Sequence, residues 1–353
     1  MKMQTKPETW WHRWRSTILT TITVVLVAGF FLLPLPEYIE GPGDANDLKQ
    51  MVTVKGHPDD RSGDFLLMTV ALTKARPVSL LKAKLIPYYS VEPEAAVTGG
   101  QSSQTYTKVQ DFYMQSAINE AKYTAFHAAN KPVSRQYLGI YVVDLNDQSP
   151  FKGQLHVGDT ITQVDGHHYN SAAGFQKYIQ HQKIGQKLTI EYQHNGKPKQ
   201  ATEKLMKIQT GTAGIGITLT DNVKVTTKPA VRVNTGAIGG SSGGLMLSLQ
   251  LYQQLTNKNL RHGKQIAGTG TIDGDGNVGE IGGIDKKVIA AKKAGATVFF
   301  APYQKPSRLL LKYEEHHQTN YQLAKATAKK YAPDMKVVPV KTFSDAVNYL
   351  ETH

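Results

Sequence analysis

An uncharged, mostly apolar stretch near the N-terminus constrains the fold of this chain most strongly. Residues 16–36 contain ILTTITVVLVAGFFLLPLP and no charged side chain. A helix needs about 20 such residues to cross the hydrocarbon core of a bilayer, and this stretch is just long enough. The pattern therefore predicts a transmembrane helix over residues 16–36. A cleaved signal peptide and a buried helix of a soluble domain are the two competing interpretations.

The flanks of this stretch favour an uncleaved membrane anchor. Trp10 and Trp11, which suit a membrane interface, precede it, and no A-x-A-like cleavage site follows it. The basic residues ahead of it outnumber the acidic residue Glu8; they are Lys2, Lys6, Arg13 and Arg15. The positive-inside rule then predicts a single-pass protein of the cell membrane, with a cytoplasmic N-terminus and the residues after about 37 on the extracellular side.

Composition excludes several classes of partner and site. The net charge is +13, from 41 basic and 28 acidic residues, which favours anionic surfaces such as membranes. The lysines are spread along the chain without an arginine-rich arm or zinc-finger spacing, so no nucleic-acid partner is expected. The chain has no cysteine and no H-E-x-x-H, and we therefore expect neither a metal nor a cofactor.

The segment DGDGNVGE at residues 273–280 begins like a calcium-binding loop. A calcium loop needs glycine at its sixth position and glutamate at its twelfth, where this chain has Val278 and Ile284. The segment therefore predicts a hairpin turn.

Residues 137–207 carry motifs of a peptide-binding module. L-x-x-G-D at residues 155–159 is followed by ITQVDG, a helix-like AAGFQKYIQHQ and an alternating strand, KLTIEYQHNG. Together they resemble a PDZ domain, which implies a β-rich, partly open barrel with helices that binds a peptide terminus along a sheet edge. The resemblance assigns carboxylate capture to Tyr137, Leu138, Gly139 and Ile140. It assigns the helical wall of the groove to Phe175, Tyr178 and Ile179. The alternative is an inert spacer in which Phe175 and Ile179 are only core residues.

The string AIGGSSGGLMLSL at residues 237–249 places Ser241 and Ser242 between two glycine pairs. Such strings are usually linkers. However, the run from Ser242 onward is apolar on two helical faces, which predicts a buried helix. The first N–H groups of a helix lack internal partners and carry partial positive charge, so they can hold an oxyanion beside a nucleophilic serine. The flanking glycines, including Gly240 and Gly243, would let a substrate backbone approach closely.

A nucleophilic serine needs a base, and the chain offers lysines for this role. The histidines have no informative spacing, whereas GGIDKKVIAAKKAG puts Lys286 and Lys287 at the start of a partly apolar helix. A lysine acts as a base when burial lowers its pKa from about 10.4 toward roughly 7 to 8. Lysines at helix surfaces are normally solvated, so spacing alone leaves both interpretations open.

The serine and lysine segments together resemble the Lon-type serine peptidase domain, which uses a Ser–Lys dyad. Residues 240–244 match its Gly-Pro-Ser-Ala-Gly motif, with Ser241 in place of proline and Gly243 in place of alanine. Residues 282–287 match its G-G-[apolar]-x-x-K motif, at the expected separation from the serine. The resemblance implies Ser242 as nucleophile, Lys287 as base and Thr269 as a supporting residue beside the lysine.

These resemblances imply an α+β architecture in which the PDZ domain is inserted into a Lon-type α/β domain. The expected segments are residues 1–15 (cytoplasmic N-terminus), 16–36 (anchor), 37–50 (linker), 51–131 (first portion of the peptidase domain), 132–208 (PDZ domain) and 209–353 (peptidase domain with the dyad). This order looks like the membrane-anchored, ATP-independent peptidases of Gram-positive bacteria, and no G-x-x-x-x-G-K-[ST] occurs.

The sequence therefore predicts a membrane-tethered serine endopeptidase that acts outside the cytoplasm. Without an ATPase module, its expected substrates are peptides or flexible segments of membrane proteins, with the PDZ domain aiding their binding. The alternative is a catalytically inactive scaffold that uses both domains to bind a cell-surface partner.

Overall fold

The computed structural model describes residues 10–353, with side-chain environments from residue 14 onward. Residues 1–9, which make up most of the predicted cytoplasmic segment, lie outside this part. The helices are α1 (Trp10–Leu32), α2 (Leu48–Met51), α3 (Pro77–Leu85), α4 (Glu94–Thr98), α5 (Ser103–Ala128), α6 (Ala172–Gln180), α7 (Gly244–Thr256), α8 (Ile284–Lys293), α9 (Arg308–Tyr313), α10 (Asn320–Tyr331) and α11 (Phe343–Thr352).

The strands form one mixed sheet, one antiparallel sheet and short ribbons. They are β1 (Glu37–Asp47), β2 (Val52–Val54), β3 (Asp64–Lys74), β4 (Ser90–Pro93), β5 (Val133–Leu145), β6 (Thr160–Val164), β7 (Lys187–His194), β8 (Lys197–Lys204), β9 (Met206–Lys207), β10 (Ala213–Gly214), β11 (Ile217–Thr227), β12 (Val231–Val233), β13 (Gln265–Gly268), β14 (Thr271–Ile272), β15 (Val278–Gly279), β16 (Val298–Pro302) and β17 (Lys336–Val340).

The chain divides into two compact units. Among the described residues, the first comprises those up to residue 43 and residues 70–100, and the second comprises residues 44–69 and 101–353. In the first unit, helix α1 contains a 19-residue span, Trp14–Leu32, whose length and composition are compatible with a membrane anchor. The predicted linker at 37–50 is instead regular structure, because residues 37–40 of β1 pair antiparallel with β4. The Gly-Pro-Gly string suggested a linker, but it lies inside this strand.

The second unit contains a parallel sheet covered by helices on both faces. Strands β17, β16, β13 and β3 are neighbours in this order, and all run parallel. Side chains alternate between the two faces of a strand. In β16, Val298 and Phe300 join the core that contains α7, whereas Phe299 and Ala301 join the core that contains α8 and α10. The buried helix predicted after the serine pair is α7, and it begins at Gly244, two residues later than expected.

A second sheet in the same unit has the strand order β11-β5-β6-β7-β8 and stays open. Its strands are antiparallel, and with α6 they enclose a separate core that includes Phe151, Leu188 and Ile190. Strand β11, which is the last strand of this sheet along the chain, ends at Thr227. The sheet therefore extends beyond the predicted border at residue 208. The sequence did not reveal this because an alternating strand does not indicate which sheet it joins.

A buried ion pair connects the loop before β3 to the segment after α7. The guanidinium of Arg261 donates to both carboxylate oxygens of Asp59, at 2.6 and 2.8 Å, and both side chains are almost fully buried. Gln250 of α7 also donates to Asp59 at 2.7 Å. Burial opposes ionisation of Asp59, but these hydrogen bonds outweigh it and hold the pKa of the carboxyl below its usual value.

Removing the arginine should therefore destabilise the second unit strongly. Arg261→Met leaves the Asp59 carboxylate buried without its cation, and we expect a loss of about 3 to 5 kcal/mol in the free energy of unfolding. The midpoint of chemical denaturation measures this loss. Lys258→Met is the matched control, because its ion pair with Glu351 is partly exposed and should contribute less than about 1 kcal/mol. Equal losses in the two variants would contradict this account.

Candidate active site and peptide groove

The predicted dyad residues meet at the carboxyl end of the central strand β13. Ser242 lies just before α7, which packs on one face of the parallel sheet, and Lys287 lies in the first turn of α8 on the other face. Thr269 directly follows β13 between them. Carboxyl ends of parallel strands are where α/β sheets commonly place functional sites. The fold thus brings together three residues that are far apart in sequence.

The three side chains form a short hydrogen-bonded chain. Lys287 Nζ lies 3.0 Å from Ser242 Oγ and 3.2 Å from Thr269 Oγ1. The Thr269 hydroxyl donates to the carbonyl oxygen of Ser242 at 3.1 Å. Lys287 is 3% exposed and Thr269 is 1% exposed. Both side chains are therefore largely shielded from solvent.

The direction of these hydrogen bonds orients the amine. A hydroxyl has one proton, and that of Thr269 is given to the Ser242 carbonyl, so Thr269 Oγ1 accepts from Lys287. Lys287 Nζ is thereby held between the hydroxyl oxygens of Thr269 and Ser242. The arrangement matches what a serine nucleophile and a lysine base require.

Helix α5 and two glycines shape the loop around Ser242. The backbone N–H of Gly240 donates to the carbonyl of Gln110 at 2.9 Å, and Gly240 has a φ of +86°, a conformation that favours glycine. A Cβ on Gly243 would lie 2.5 Å from Leu67 Cδ1. An alanine at 243 would therefore push against Leu67, which accounts for glycine there. Sequence patterns gave no indication that Gln110 contacts this loop.

The predicted carboxylate-binding residues of the PDZ region do not border a free strand edge. Tyr137, Gly139 and Ile140 lie within β5, which is an interior strand of the open sheet. All three pair with β11, and Ile140 also pairs with Ile161 of β6. A peptide can add only to an unpaired edge. This assignment is therefore corrected, and Leu138 falls at a bulge in the same pairing.

A groove lies instead between helix α6 and the region around β11, at the edge of the sheet. It has about 380 Å³ of empty volume and is lined mainly by apolar side chains, among them Ile208, Ile215, Ile217 and Leu219. Phe175 and Ile179 line it from α6, and both are also buried in the core.

The segment at the start of β11 lines one end of this groove, whereas Tyr178, the third predicted wall residue, does not line it. Residues 214–217 read Gly-Ile-Gly-Ile and form one end of its lining. A similar glycine-apolar pattern occurs in the sequence at 138–140. Tyr178 lies outside the lining, because its hydroxyl donates to Asp165 at 2.9 Å and its ring packs beside Tyr169.

A compact cluster that sequence patterns did not reveal joins His156 and Asp159 of the L-x-x-G-D turn to His194 at the end of β7. Their possible metal-ligating atoms lie within 4.8 Å of one another. Asp159 accepts the backbone N–H of His156 at 2.9 Å and lies 2.8 Å from His194 Nδ1. Asn195 Nδ2 lies 3.1 Å from the other ring nitrogen of His194. These hydrogen bonds account for the close approach of the three side chains.

The segment DGDGNVGE forms the predicted hairpin turn. Thr271 pairs with Gly279 and Ile272 pairs with Val278 in antiparallel register. A carboxylate oxygen of Asp273 accepts the backbone N–H groups of Asp275 and Asn277 at 3.0 and 2.8 Å. These contacts close the turn.

Glu280 holds a carboxyl group in an unusual environment just before the lysine motif. One oxygen accepts the backbone N–H of Asn320 at 2.6 Å, and among the described residues the other is buried without a hydrogen-bond partner. Burial, assisted by repulsion from Glu314, raises the pKa of Glu280 to about 7. Between pH 4.5 and 7 the folded state therefore binds a proton that the unfolded state has lost, so this contribution to stability falls as pH rises.

Glu280→Gln should remove this pH dependence. At pH 5 the wild-type carboxyl is protonated, so the variant should unfold at nearly the same temperature as the wild type. At pH 8 the wild type carries a buried charge, so the variant should be the more stable of the two. Thermal unfolding measured at both pH values tests this, and an equal difference at the two values would contradict it.

Comparisons with known proteins identify two domains. A family model described as "PDZ domain" matches residues 116–205. A second, described as "Lon protease (S16) C-terminal proteolytic domain", matches residues 199–324. No curated protein matches the chain.

Several solved structures are similar to part of the chain. The PDZ domain of an SdrC-like protein from Listeria monocytogenes is 42% identical, with 24% of this chain and 90% of that chain covered and a TM-score of 0.23. Its counterpart from Listeria innocua is 39% identical, with 23% and 92% covered and the same TM-score. A structure from Geobacillus thermodenitrificans is 24% identical, with 23% and 94% covered and a TM-score of 0.21. The family matches and the α+β fold show that the chain contains a PDZ domain and a Lon-type C-terminal proteolytic domain, behind an N-terminal apolar helix that is compatible with a membrane anchor.

Proposed function

We propose that this protein is a serine endopeptidase in which Ser242 is the nucleophile and Lys287 is the general base. The 3.0 Å separation between Lys287 Nζ and Ser242 Oγ, in a buried setting, is the observation that carries the proposal. It lies within the range required for direct proton transfer.

The proposed reaction proceeds through an acyl-enzyme. Neutral Lys287 takes the hydroxyl proton as Ser242 Oγ attacks a peptide carbonyl, and backbone N–H groups near Ser242 hold the oxyanion. The Lys287 ammonium then gives its proton to the leaving amine as the C–N bond breaks. In the second half, Lys287 takes a proton from water, which attacks the acyl-serine ester, and returns that proton to Ser242. Thr269 keeps the amine aligned throughout.

The proposal includes the cellular setting. Helix α1 anchors the protein as a single transmembrane segment, with the N-terminus in the cytoplasm and both domains outside. Its exposed apolar side chains and the basic N-terminal flank support this orientation. The sequence contains no phosphate-binding loop, so the peptidase works without ATP on peptides or on flexible segments of membrane proteins.

The PDZ domain is proposed to bind apolar peptide ends in the groove between α6 and the β11 region. The lining is apolar, and residues 214–217 can present backbone N–H groups to a terminal carboxylate. We place the PDZ domain at residues 133–227, inserted between two portions of the peptidase domain. The pairing of β11 with β5 supports the later border.

A charge in this groove should weaken peptide binding. Leu219→Glu places a carboxylate beside the apolar lining and should reduce the affinity for peptides ending in leucine or valine by at least about tenfold. Thr218→Glu is the matched control, because Thr218 is exposed and alternates to the other face of β11. Leu138→Glu tests the original assignment at β5. Loss of binding in Leu138→Glu but not in Leu219→Glu would contradict the groove proposed here.

Peptide cleavage tests the proposed activity as a whole. The full chain in detergent micelles is incubated with unstructured peptides, without ATP, and products are identified by mass spectrometry. Internal cleavage that is unaffected by added ATP is expected. Peptide binding without any product would favour the scaffold.

A further inference from the structure

In the first unit, the end of helix α1 is joined directly to the start of helix α3. The backbone N–H of Leu35 donates to the carbonyl of Ala75 at 2.9 Å, and that of Ala75 donates to the carbonyl of Glu37 at 2.8 Å. The guanidinium of Arg76 reaches the carbonyl of Phe31 at 3.5 Å. Helix α3, which begins at Pro77, therefore starts beside the point where α1 ends.

Helix α3 has one packed face and one exposed apolar face. Ala83 is buried and Leu80 is half-buried, and both pack in a small core with Ile39 and Ala75. Leu81 and Leu85 lie four residues apart on another face, and they are 52% and 73% exposed. Lys82 and Lys84 are exposed on either side of this leucine pair. Leucines framed by lysines are typical of helices that lie in a membrane interface.

The apolar surface of α3 lies close to that of α1. Leu32 and Leu33 at the end of α1 are 64% and 56% exposed, and they are only a few residues from Leu35, which is hydrogen-bonded to Ala75. If α1 spans a bilayer, its end lies at the membrane surface, and α3 is held at the same level. Two exposed leucines at that level are adjacent to acyl chains rather than to bulk water.

We propose that α3 is an interfacial helix that binds the anionic surface of the membrane crossed by α1. Leu81 and Leu85 insert among the outer parts of the acyl chains, and Lys82 and Lys84 pair with phosphate groups of anionic phospholipids. This inference rests on the proposed anchoring by α1. A nine-residue helix with two leucines binds a membrane only weakly by itself. Because α3 is attached to α1, however, it is held at the membrane surface, which raises its effective concentration there. The contact fixes the tilt of α1 and the level at which residues after Pro36 leave the bilayer.

Labelling of single cysteines tests this placement in the full chain. The chain has no cysteine, so Leu81→Cys and Leu85→Cys each accept a nitrobenzoxadiazole fluorophore at one known position. Val25→Cys in α1 reports on the anchor, and Lys197→Cys in the exposed β7–β8 hairpin is the aqueous reference. Each variant is reconstituted in vesicles of phosphatidylcholine and phosphatidylglycerol in equal amounts. Lipids that carry a nitroxide on the acyl chain serve as quenchers.

We expect blue-shifted emission and quenching by the lipid nitroxide at residues 25, 81 and 85, and neither effect at residue 197. Quenching at residue 25 without quenching at 81 and 85 would overturn the inference and leave the anchor in place. Aqueous emission at all three positions would overturn both the anchoring by α1 and the interfacial position of α3. Blue-shifted emission at 81 and 85 without lipid quenching would mean that a protein surface covers α3, which also overturns the inference.

Charge reversal tests the preference for anionic lipid. In the Leu81→Cys background, Lys82→Glu with Lys84→Glu should reduce the quenching to that of the aqueous reference in the mixed vesicles. The same double substitution should have a smaller effect in vesicles of phosphatidylcholine alone. Unchanged quenching in the mixed vesicles would overturn the pairing of these lysines with anionic headgroups.

Discussion

Ser242→Ala should abolish peptide cleavage while leaving the protein folded and able to bind peptide. The substitution removes the oxygen that forms the acyl-enzyme, so the rate should fall by roughly five orders of magnitude, to the background of the assay. The change from hydroxyl to methyl is small at a half-buried position, and the thermal unfolding temperature should change little. Cleavage of an unstructured peptide by the full chain, followed by mass spectrometry, measures the loss.

The neighbouring serine supplies the matched control for this prediction. Ser241 is also half-buried, but it is Ser242 whose Oγ lies 3.0 Å from Lys287 Nζ. Ser241→Ala should therefore retain activity, and Ser241→Pro should be tolerated or beneficial, since Lon-type domains usually carry proline there. Activity that survives Ser242→Ala and disappears in Ser241→Ala would reverse the assignment of the two serines.

Lys287→Met should cause a loss of cleavage comparable to that of Ser242→Ala. Methionine fills a similar volume in the buried site but cannot accept the proton of the Ser242 hydroxyl. The rate of peptide cleavage should fall to the background, and thermal unfolding shows whether the protein remains folded. Lys287→Arg should be equally inactive, because a guanidinium keeps its proton at neutral pH.

Two further variants separate a base from a merely structural lysine. If Lys287 acted only as a fixed positive charge, Lys287→Arg would retain part of the activity, and the proposed role would be wrong. Lys286→Met is the neighbouring control, because Lys286 is also buried but lies 3.2 Å from Asp285. Lys286→Met should reduce peptide cleavage only in proportion to any loss of folded protein.

The residues of the proposed dyad could be selected from the sequence because their motifs are local. The glycine pairs and the apolar run after Ser242, and the glycine pair ahead of Lys287, are each contained within a few residues. The family resemblance joined the two segments and added Thr269. Their meeting at the end of β13 depends on α7 and α8 lying on opposite faces of the sheet, which periodicity alone does not determine.

The position of the proposed peptide groove could not be predicted from local motifs. The sequence contains two similar glycine-apolar motifs, one ending at Ile140 and one ending at Ile217. Only strand pairing distinguishes them, because β5 is interior whereas β11 lies at the edge. Pairing of β11 with β5 is a contact between distant residues and leaves no local pattern. The same lack of local signal hid the Asp59–Arg261 ion pair and the contact between Gln110 and Gly240.

Covalent trapping of the nucleophile is the most direct test of a Ser242–Lys287 dyad. The full chain is treated with a fluorophosphonate, which modifies activated serine hydroxyls, and then digested and mapped by tandem mass spectrometry. We expect one modified serine, Ser242, in the wild-type protein. In Lys287→Met we expect no modification of Ser242. Modification at Ser241, or equal modification of Ser242 with and without Lys287, would contradict a Ser242–Lys287 dyad.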